Sequence, residues 1–564
     1  MSEGKAPQFS AAGIARGAGV IAVITIAARL LGLVRTLVFS QTVGATCLGT
    51  AYMTANQVPN LVSELVLGGA LASVMVPVLA RSAERSAADP RERAHVAQVS
   101  SALLTWCMVI LVPVSLIIVV AAGPIASLLN PTNPSAACVH ADVVSTTASM
   151  LRVFAPQALL YGLSVILLGL LQAYRRFAAF ALAPVVNSLV VIAAFLTFVP
   201  LGRGVPLGRI PALALLVLSV GTTLGVAAMV LVGLIPAWRL RLRFRPTLRL
   251  PPGIGRWAGG LALVGVVEVI ANEIAAVVVI GLANGRGSTG ALVLFNYASL
   301  VFNTLNAVFA LAIVLSAFPV LSAREGPVFD RTCAGTTRAV VLASCIGVAL
   351  IAAVTVPASH VLAGQPDQVR ELELGFAGFG PGLVGLGVIA ILSRALLAAR
   401  RLRLAAIAVA GSSIVALLAQ LVLVPLVPAR FVVGALALGN TIGLTAVAIP
   451  FVLVTRRVLG RAALAGVRRA TLAGLAAAAG GALAGVAVSL ALPGTGRLTE
   501  AGVAVLAAGC AVVVFAGIAF CLDDGDTRMG LRWLLAAPRR FRQPGPSQPV
   551  AGLEARETEP ASHE

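Results

Sequence analysis

Residues 19–81 read GVIAVITIAARLLGLVRTLVFSQTVGATCLGTAYMTANQVPNLVSELVLGGALASVMVPVLAR. The first half is apolar and long enough to cross a bilayer, which takes about 20 helical residues, yet it carries Arg29 and Arg35. Six residues of helix rise about 9 Å and leave the two side chains about 120° apart around the axis. They therefore line one broad sector rather than one stripe. A charged side chain at membrane depth is costly and faces a polar cavity or a protein partner, not lipid. The second half places Asn56, Gln57, Pro59, Asn60, Ser63 and Glu64 ahead of Gly68-Gly69. Broken, amide-rich backbone is tolerated at membrane depth only where it lines protein or water. The stretch predicts a polar site inside a membrane domain, with Pro59, Gly68 and Gly69 as its hinge.

The remainder of the chain agrees with that class. Hydrophobic residues make up 59% and charged residues 11% of 564, and the mean hydropathy is +0.99, values of a polytopic membrane protein. No polar block is large enough to form a soluble domain. The net charge of +20 is not read as nucleic-acid binding, because the basic residues sit in short loops between apolar spans. The seven cysteines form no CxxC pair and lie near no ligand-like histidine, so they are expected to be small buried hydrophobes. The four histidines (His95, His140, His360 and His563) fall at expected loops or in the tail. No metal or cofactor is expected. The first apolar span is long and contains arginine, so it is expected to stay as a membrane helix and not to be cleaved as a signal.

Spans of about 20 residues number about fourteen, centred near 20–42, 50–80, 97–122, 147–172, 178–200, 211–237, 257–282, 291–321, 338–362, 375–398, 404–427, 431–455, 470–492 and 499–521. With a cytoplasmic N-terminus, the arginine-rich loops at 81–93, 175–176, 239–256, 324–338, 400–403 and 456–469 all fall inside. This asymmetry predicts both termini in the cytoplasm of a bacterial plasma membrane. The polar, Pro-rich end after span 14 is expected to be disordered, with GLRWLLAAPRRF either a basic helix lying on the inner leaflet or a plain positive-inside anchor.

The chain also repeats itself. MVPVLARS (75–82) returns as AFPVLSAR (317–324), and YRRFAAFALAP (174–184) is echoed by ARRLRLAAIAV (399–409). Both echoes are displaced by six spans, an even number, so the halves share one orientation about an axis along the membrane normal. The expected architecture is an all-α polytopic membrane protein with two pseudo-symmetric six-helix lobes plus two extra C-terminal helices. Its parts are a cytoplasmic N-terminus (1–17), an N-lobe (18–237), a basic loop (238–256), a C-lobe (257–456), two added spans (469–521) and a cytoplasmic tail (522–564). Two lobes flanking a cleft is an alternating-access plan.

Intramembrane polarity collects on four spans. Besides spans 1 and 2, span 7 has Glu268, Asn272 and Glu273, and span 8 has Asn296, Asn303 and Asn306 on one face. By the repeat, spans 7 and 8 are counterparts of 1 and 2, so these four are expected to face one central cavity. Arginines on the first lobe suit a phosphate or pyrophosphate. Glu64, Glu268, Asn272 and Glu273 would either neutralise those arginines and lock the lobes, or bind a driving H+ or Na+. Arg152 and Arg394, near span ends, are expected to snorkel.

The stretch ARLLGLVRTLVFSQTVG (28–44) with AYMTANQVPNLVSELVLGGALASVMVPVLA (51–80) resembles the signature of the MurJ/MviN family, lipid II flippases of the multidrug/oligosaccharidyl-lipid/polysaccharide exporter superfamily. Arg29, Gly32 and Arg35 match its RxxGxxR element; Pro59-Asn60-Leu61, Gly69-Ala70 and Pro77 match its helix 2; Tyr297-Ala298 and Pro319 match its helix 8. The resemblance implies fourteen helices, a cavity between helices 1, 2, 7 and 8, and a groove for a polyprenyl tail on helices 13 and 14. This sequence departs from the family pattern at Thr50, Ser63, Gly68, Ser299-Leu300 and Asn303, where charged residues are usual. Two arginines are missing there.

The expected function is that of a flippase moving a polyprenyl-pyrophosphate-linked peptidoglycan precursor, with Arg29, Arg35, Asn56, Gln57, Asn60, Ser63, Asn296 and Asn303 around its headgroup. Membrane lipids, a coupling ion and cell-wall synthesis proteins are the expected partners. No bond is broken and no nucleotide motif is visible, so the chain is read as a transporter and not an enzyme. Two alternatives remain at this point: an exporter of another lipid-linked glycan or of a drug in exchange for a cation, and a non-transporting scaffold for envelope synthesis. Acidic rather than basic cavity residues would favour the drug exporter.

Overall fold

The computed structural model describes residues 11–67, 85, 89–174, 176–242, 244–249, 254–323, 325–492, 494 and 496–522, leaving out the side chains of 11–26, 66, 67, 177 and 254–268. The hinge glycines Gly68 and Gly69, the 75–82 copy of the repeat, the side chain of Glu268 and the tail helix all lie outside the described residues.

Among the described residues every element is helical. The N-lobe comprises α1 (Ala11–Thr42), α2 (Cys47–Leu67), α3 (Pro90–Val120), the short α4 (Ala122–Leu129), α5 (His140–Phe154), α6 (Pro156–Ala173), α7 (Phe177–Gly202) and α8 (Ala212–Trp238). The C-lobe comprises α9 (Ile254–Arg286), α10 (Ala291–Leu305), a π-turn (Asn306–Leu311), α11 (Ala312–Ser322), α12 (Gly326–Leu362), α13 (Pro366–Phe379), α14 (Gly382–Ala398), α15 (Leu402–Leu423) and α16 (Val432–Leu459). Two further helices follow, α17 (Val467–Ala491) and α18 (Arg497–Leu522). Twelve segments among the described residues are long and apolar enough to cross a membrane. They correspond to expected spans 3–14, and α1 and α2 occupy the places of spans 1 and 2.

These sequences form helices because a backbone in lipid must satisfy its own hydrogen bonds. Large apolar side chains point outward freely, as at Leu483, Val505 and Leu498, which suits lipid and would not suit water. The fourth span of each lobe is interrupted at a proline: α5 ends and α6 begins at Ala155-Pro156, and α13 gives way to α14 at Gly380-Pro381. Proline lacks the N–H that would continue the ladder. The matching breaks, six spans apart, are a second trace of the repeat.

Packing repeats too. In the N-lobe α1 packs on α7, α2 on α5, α3 on α6, and α8 on both α6 and α7. In the C-lobe the corresponding pairs are α9 with α15, α10 with α13, α12 with α14, and α16 with both α14 and α15. Helices α17 and α18 pack on each other and on α12.

Two expectations are corrected. Cys47 and Cys138 are joined in a disulfide across 91 residues, so they are not lone hydrophobes. Their helix-flanking positions are far apart in sequence, and only the loop arrangement brings them together. Cys107, Cys333 and Cys345 are buried as expected, whereas Cys510 is half-buried and Cys521, near the end of α18, is exposed. His95 and His360 lie inside the ends of α3 and α12, not in loops.

Candidate functional site

The loops that join odd spans to the even spans following them all emerge on one face, and there the lobes are laced together. Gln368 Nε2 donates to the Ala45 carbonyl at 2.7 Å, and Gln41 Nε2 donates to the Val361 carbonyl at 2.8 Å. Asn133 Nδ2 donates to the carbonyls of Asn284 and Gly287 at 2.8 and 2.7 Å. The Ala137 N–H donates to Thr289 Oγ1 at 2.9 Å. In return Asn284 Nδ2 donates to Thr54 Oγ1 and to the Leu129 carbonyl, each at 2.9 Å. Gly290, with φ +85°, closes the contact, because a Cβ there would collide with the Ala45 carbonyl. This face is sealed.

Next to this belt lies an aromatic layer. Phe39 has its ring centroid 5.2 Å from those of both Tyr52 and Phe195, and 6.5 Å from that of Tyr297 on the other lobe. Tyr52 also meets Phe154 at 5.6 Å, and its hydroxyl is 2.9 Å from Thr222 Oγ1. Tilted and edge-to-face aromatic pairs of this kind hold a fixed geometry.

Against this layer opens a cavity of about 340 Å³. Its walls carry Arg35 and Thr36 from α1; Asn56, Gln57 and Asn60 from α2; Tyr161, Asn187 and Thr222 from α6, α7 and α8; and Asn296, Ser299, Leu300 and Asn303 from α10. From the sealed ends of α1 and α10, counting residues at 1.5 Å each puts Arg35 and Asn303 about 10 and about 18 Å deep, which is membrane depth. Among the described residues, Arg35 is the one charged side chain on the wall. It is half-buried, near Tyr52 and Tyr161, and no described carboxylate pairs with it. A guanidinium so placed has donors to spare for an oxyanion.

The expected site residues divide. Asn56 lines the cavity with a buried Oδ1 that has no partner among the described residues. Gln57 Nε2 donates to Asn296 Oδ1 at 2.9 Å, a bond that joins the lobes on the cavity wall, while Asn296 Nδ2 donates to its own helix at Leu292. Asn303 lines the cavity, its amide donating to the carbonyl and hydroxyl of Ser299. Asn60 lines it as well. Arg29 does not; it is exposed, nearly two turns farther from the sealed face. Ser63 is buried away from the cavity, with its hydroxyl donating to the Asn60 carbonyl at 2.8 Å. Pro59 is buried within α2, which runs on through it.

The expected wall of spans 1, 2, 7 and 8 is corrected on span 7. No described α9 residue lines this cavity; α6, α7 and α8 take its place. The reason is the packing of α1 on α7, which turns Arg35 toward the interior of its own lobe. Glu273 is instead buried, its carboxyl against Glu64 and Asn272, with Oε2 lacking a hydrogen-bond partner among the described residues. Among the described residues no ion pair joins Arg29 or Arg35 to Glu64 or Glu273, and the side chain of Glu268, the other carboxylate expected to pair with an arginine, lies outside the described residues. Sequence reading missed Tyr161, Asn187 and Thr222. Asn187 is a lone amide in an otherwise apolar span, which was the available signal.

Comparison with known proteins gives a consistent result. The family model described as lipid II flippase MurJ matches residues 39–528. A probable lipid II flippase MurJ of Synechocystis sp. is 28% identical over 261 residues, covering 43% of this chain and 44% of that one. A lipid II flippase MurJ of Burkholderia cenocepacia is 25% identical over 184 residues, covering 31% and 32%. The matched stretches thus span less than half the length of these relatives. Among solved structures, a lipid II flippase MurJ in an inward closed conformation superposes with a TM-score of 0.67 at 14% identity, covering 89% of this chain and 98% of that one. An inward-facing multidrug resistance MATE transporter of the MOP superfamily gives a TM-score of 0.61 at 13% identity, covering 78% and 99%. At these identities the structural likeness speaks for the fold.

Proposed function

The chain belongs to the lipid II flippase MurJ family, and from that premise we propose that it moves a polyprenyl-pyrophosphate-linked peptidoglycan precursor across the bacterial plasma membrane. The observation that carries this reading is Arg35, a guanidinium at membrane depth, without a described carboxylate partner, on the wall of a polar cavity closed on one face. Such a site suits a headgroup bearing phosphate, while the prenyl chain stays in lipid beside the protein.

In this reading the sealed face is extracytoplasmic and both termini are cytoplasmic. The arginine-rich loops support that orientation, and so does the disulfide, since such bonds persist in oxidising compartments. The headgroup enters from the cytoplasmic side and meets Arg35, Asn56, Gln57 and Asn60. The lobes then rock, parting the polar belt and the aromatic layer while closing behind the cargo. Pro59 with Gly68 and Gly69 would let α2 bend. The contact of the exposed Glu64 with the buried Glu273, with Asn272 and Glu268 nearby in sequence, is the proposed place for a coupling H+ or Na+, because two carboxyls pressed together need a proton or cation between them. Cell-wall synthesis proteins are the proposed neighbours.

A second reading rests on Leu300. It stands on the cavity wall where the family resemblance implies an arginine, so the cavity offers one guanidinium for a group with several charges. This favours a lipid-linked glycan with fewer charges, or a scaffold that binds without transporting. Expression in bacteria depleted of their own flippase separates these. Restored growth with lipid II appearing on the outer surface is the expected result. A well-expressed protein that restores neither would leave the second reading in its place.

A further inference from the structure

The disulfide joins two segments that each grip the other lobe. Cys47 opens α2 directly after the turn whose Ala45 carbonyl accepts from Gln368. Cys138 ends the irregular loop that holds Asn284, Gly287 and Thr289 through Asn133 and Ala137. Beside the bridge lies a crevice of about 40 Å³ with Asn133 and Cys138 on one side and Asn284, Ser288 and Thr289 on the other. The bridge adds no bond between the lobes, because both its ends belong to the N-lobe. We propose that it makes the sealed face one cooperative gate, forcing the two sets of inter-lobe hydrogen bonds to form and break together.

The physical reason is the weakness of the separate parts. The loop after α4 has no helix of its own from 131 to 139, and it meets the C-lobe through a few neutral hydrogen bonds, each of modest net strength. Without the bridge that loop is free to stay behind on the C-lobe when the α1–α2 turn moves away, or to fray while the turn stays. Either event opens a leak or stalls the lobes half-parted. With the bridge, the loop moves with the start of α2 as one body, and the interface has two discrete arrangements in place of many. This inference rests on the two-lobed fold and the inter-lobe bonds, and does not depend on the cargo.

Amide hydrogen exchange of the purified full chain in lipid nanodiscs tests it. In the oxidised protein, segments 43–50, 131–139 and 284–290 are expected to exchange with one common slow rate. In C47S/C138S, segment 131–139 is expected to exchange at least tenfold faster than 43–50. Should that variant fail to fold, the folded wild type is reduced with tris(2-carboxyethyl)phosphine. That reagent leaves two thiols and becomes the phosphine oxide, its oxygen coming from water, and the same tenfold separation is expected. Three rates that still coincide without the bridge would overturn the proposal. So would a uniform rise across α1–α8, which would make the disulfide a general staple of the lobe.

Discussion

The two lobes share one six-span plan and fill it differently. In the C-lobe, Phe295 and Phe302 meet Phe379 in tilted contacts at 5.4 and 5.0 Å, and α13 crosses α16 with almost no side chain between them at Gly378. A Cβ on Gly378 would sit 2.8 Å from the Ala437 Cβ and 2.8 Å from the Gly434 carbonyl oxygen, and Thr441 Oγ1 donates to the Gly378 carbonyl at 2.6 Å. The N-lobe counterpart of the α10–α13 contact, α2 on α5, is also filled, with Tyr52 meeting Phe154 at 5.6 Å. Beside it, however, the space between α1, α2, α6, α7 and α8 is left open, lined with amides, Tyr52, Tyr161 and Arg35 and faced by α10. A duplicated topology therefore does not duplicate chemistry. The α13–α16 crossing leaves no room for a cavity, whereas the open polar wall is borne mainly by the N-lobe, with α10 of the C-lobe opposite it.

That contrast is easiest to break in the packed lobe. Gly378→Leu is expected to cost roughly 3 kcal/mol or more, since overfilling a close-packed crossing forces backbone shifts. A sharply lowered thermal midpoint in detergent would show it, and an unchanged midpoint would mean the C-lobe is not close-packed there. Asn187→Leu, on the open wall, should leave the midpoint nearly unchanged and cut transport at least fivefold in a flipping assay. Equal loss of stability from both substitutions would erase the distinction between the lobes.

A gain sharpens it further. Leu300→Arg places a second guanidinium on the cavity wall and should tighten binding of a pyrophosphate-linked lipid several-fold, with little effect on a monophosphate-linked one. Weaker binding of both would argue that Leu300 packs against the cargo's apolar part. A modest stability effect is expected from Tyr52→Phe, which removes the bond to Thr222 and keeps the ring. About 1 kcal/mol is the net worth of such a bond, read as a shift of a few degrees at most in melting.

How much of this was legible in the sequence follows from where the constraints act. The spans were readable because each lipid-facing position must be apolar, and the six-span shift survived in short motifs such as AFPVLSAR. Arg35 was readable as a charge that lipid would not accept. The difference between Arg29 and Arg35 was not, because it depends on which side of α1 packs against α7. The same holds for Glu273, which pattern assigned to the cavity and packing turned toward Glu64. Asn187, Tyr161 and Thr222 sit in largely apolar helices among a few small polar residues such as Ser188, Ser164 and Thr223, where no periodicity singles them out. The Cys47–Cys138 bridge and the inter-lobe belt join loops separated by long stretches of chain. Span parity places those loops on one face, but no local pattern pairs them.

The central claim of the proposed function is that the cavity between the N-lobe helices and α10 holds the cargo's phosphate through Arg35. Native mass spectrometry of lipid II bound to the purified wild type, Arg35→Ala and Arg29→Ala in nanodiscs measures it directly. The account predicts that Arg35→Ala weakens binding at least tenfold, or about 1.4 kcal/mol, while Arg29→Ala stays within twofold. Equal losses in both variants, or none in Arg35→Ala, would contradict it.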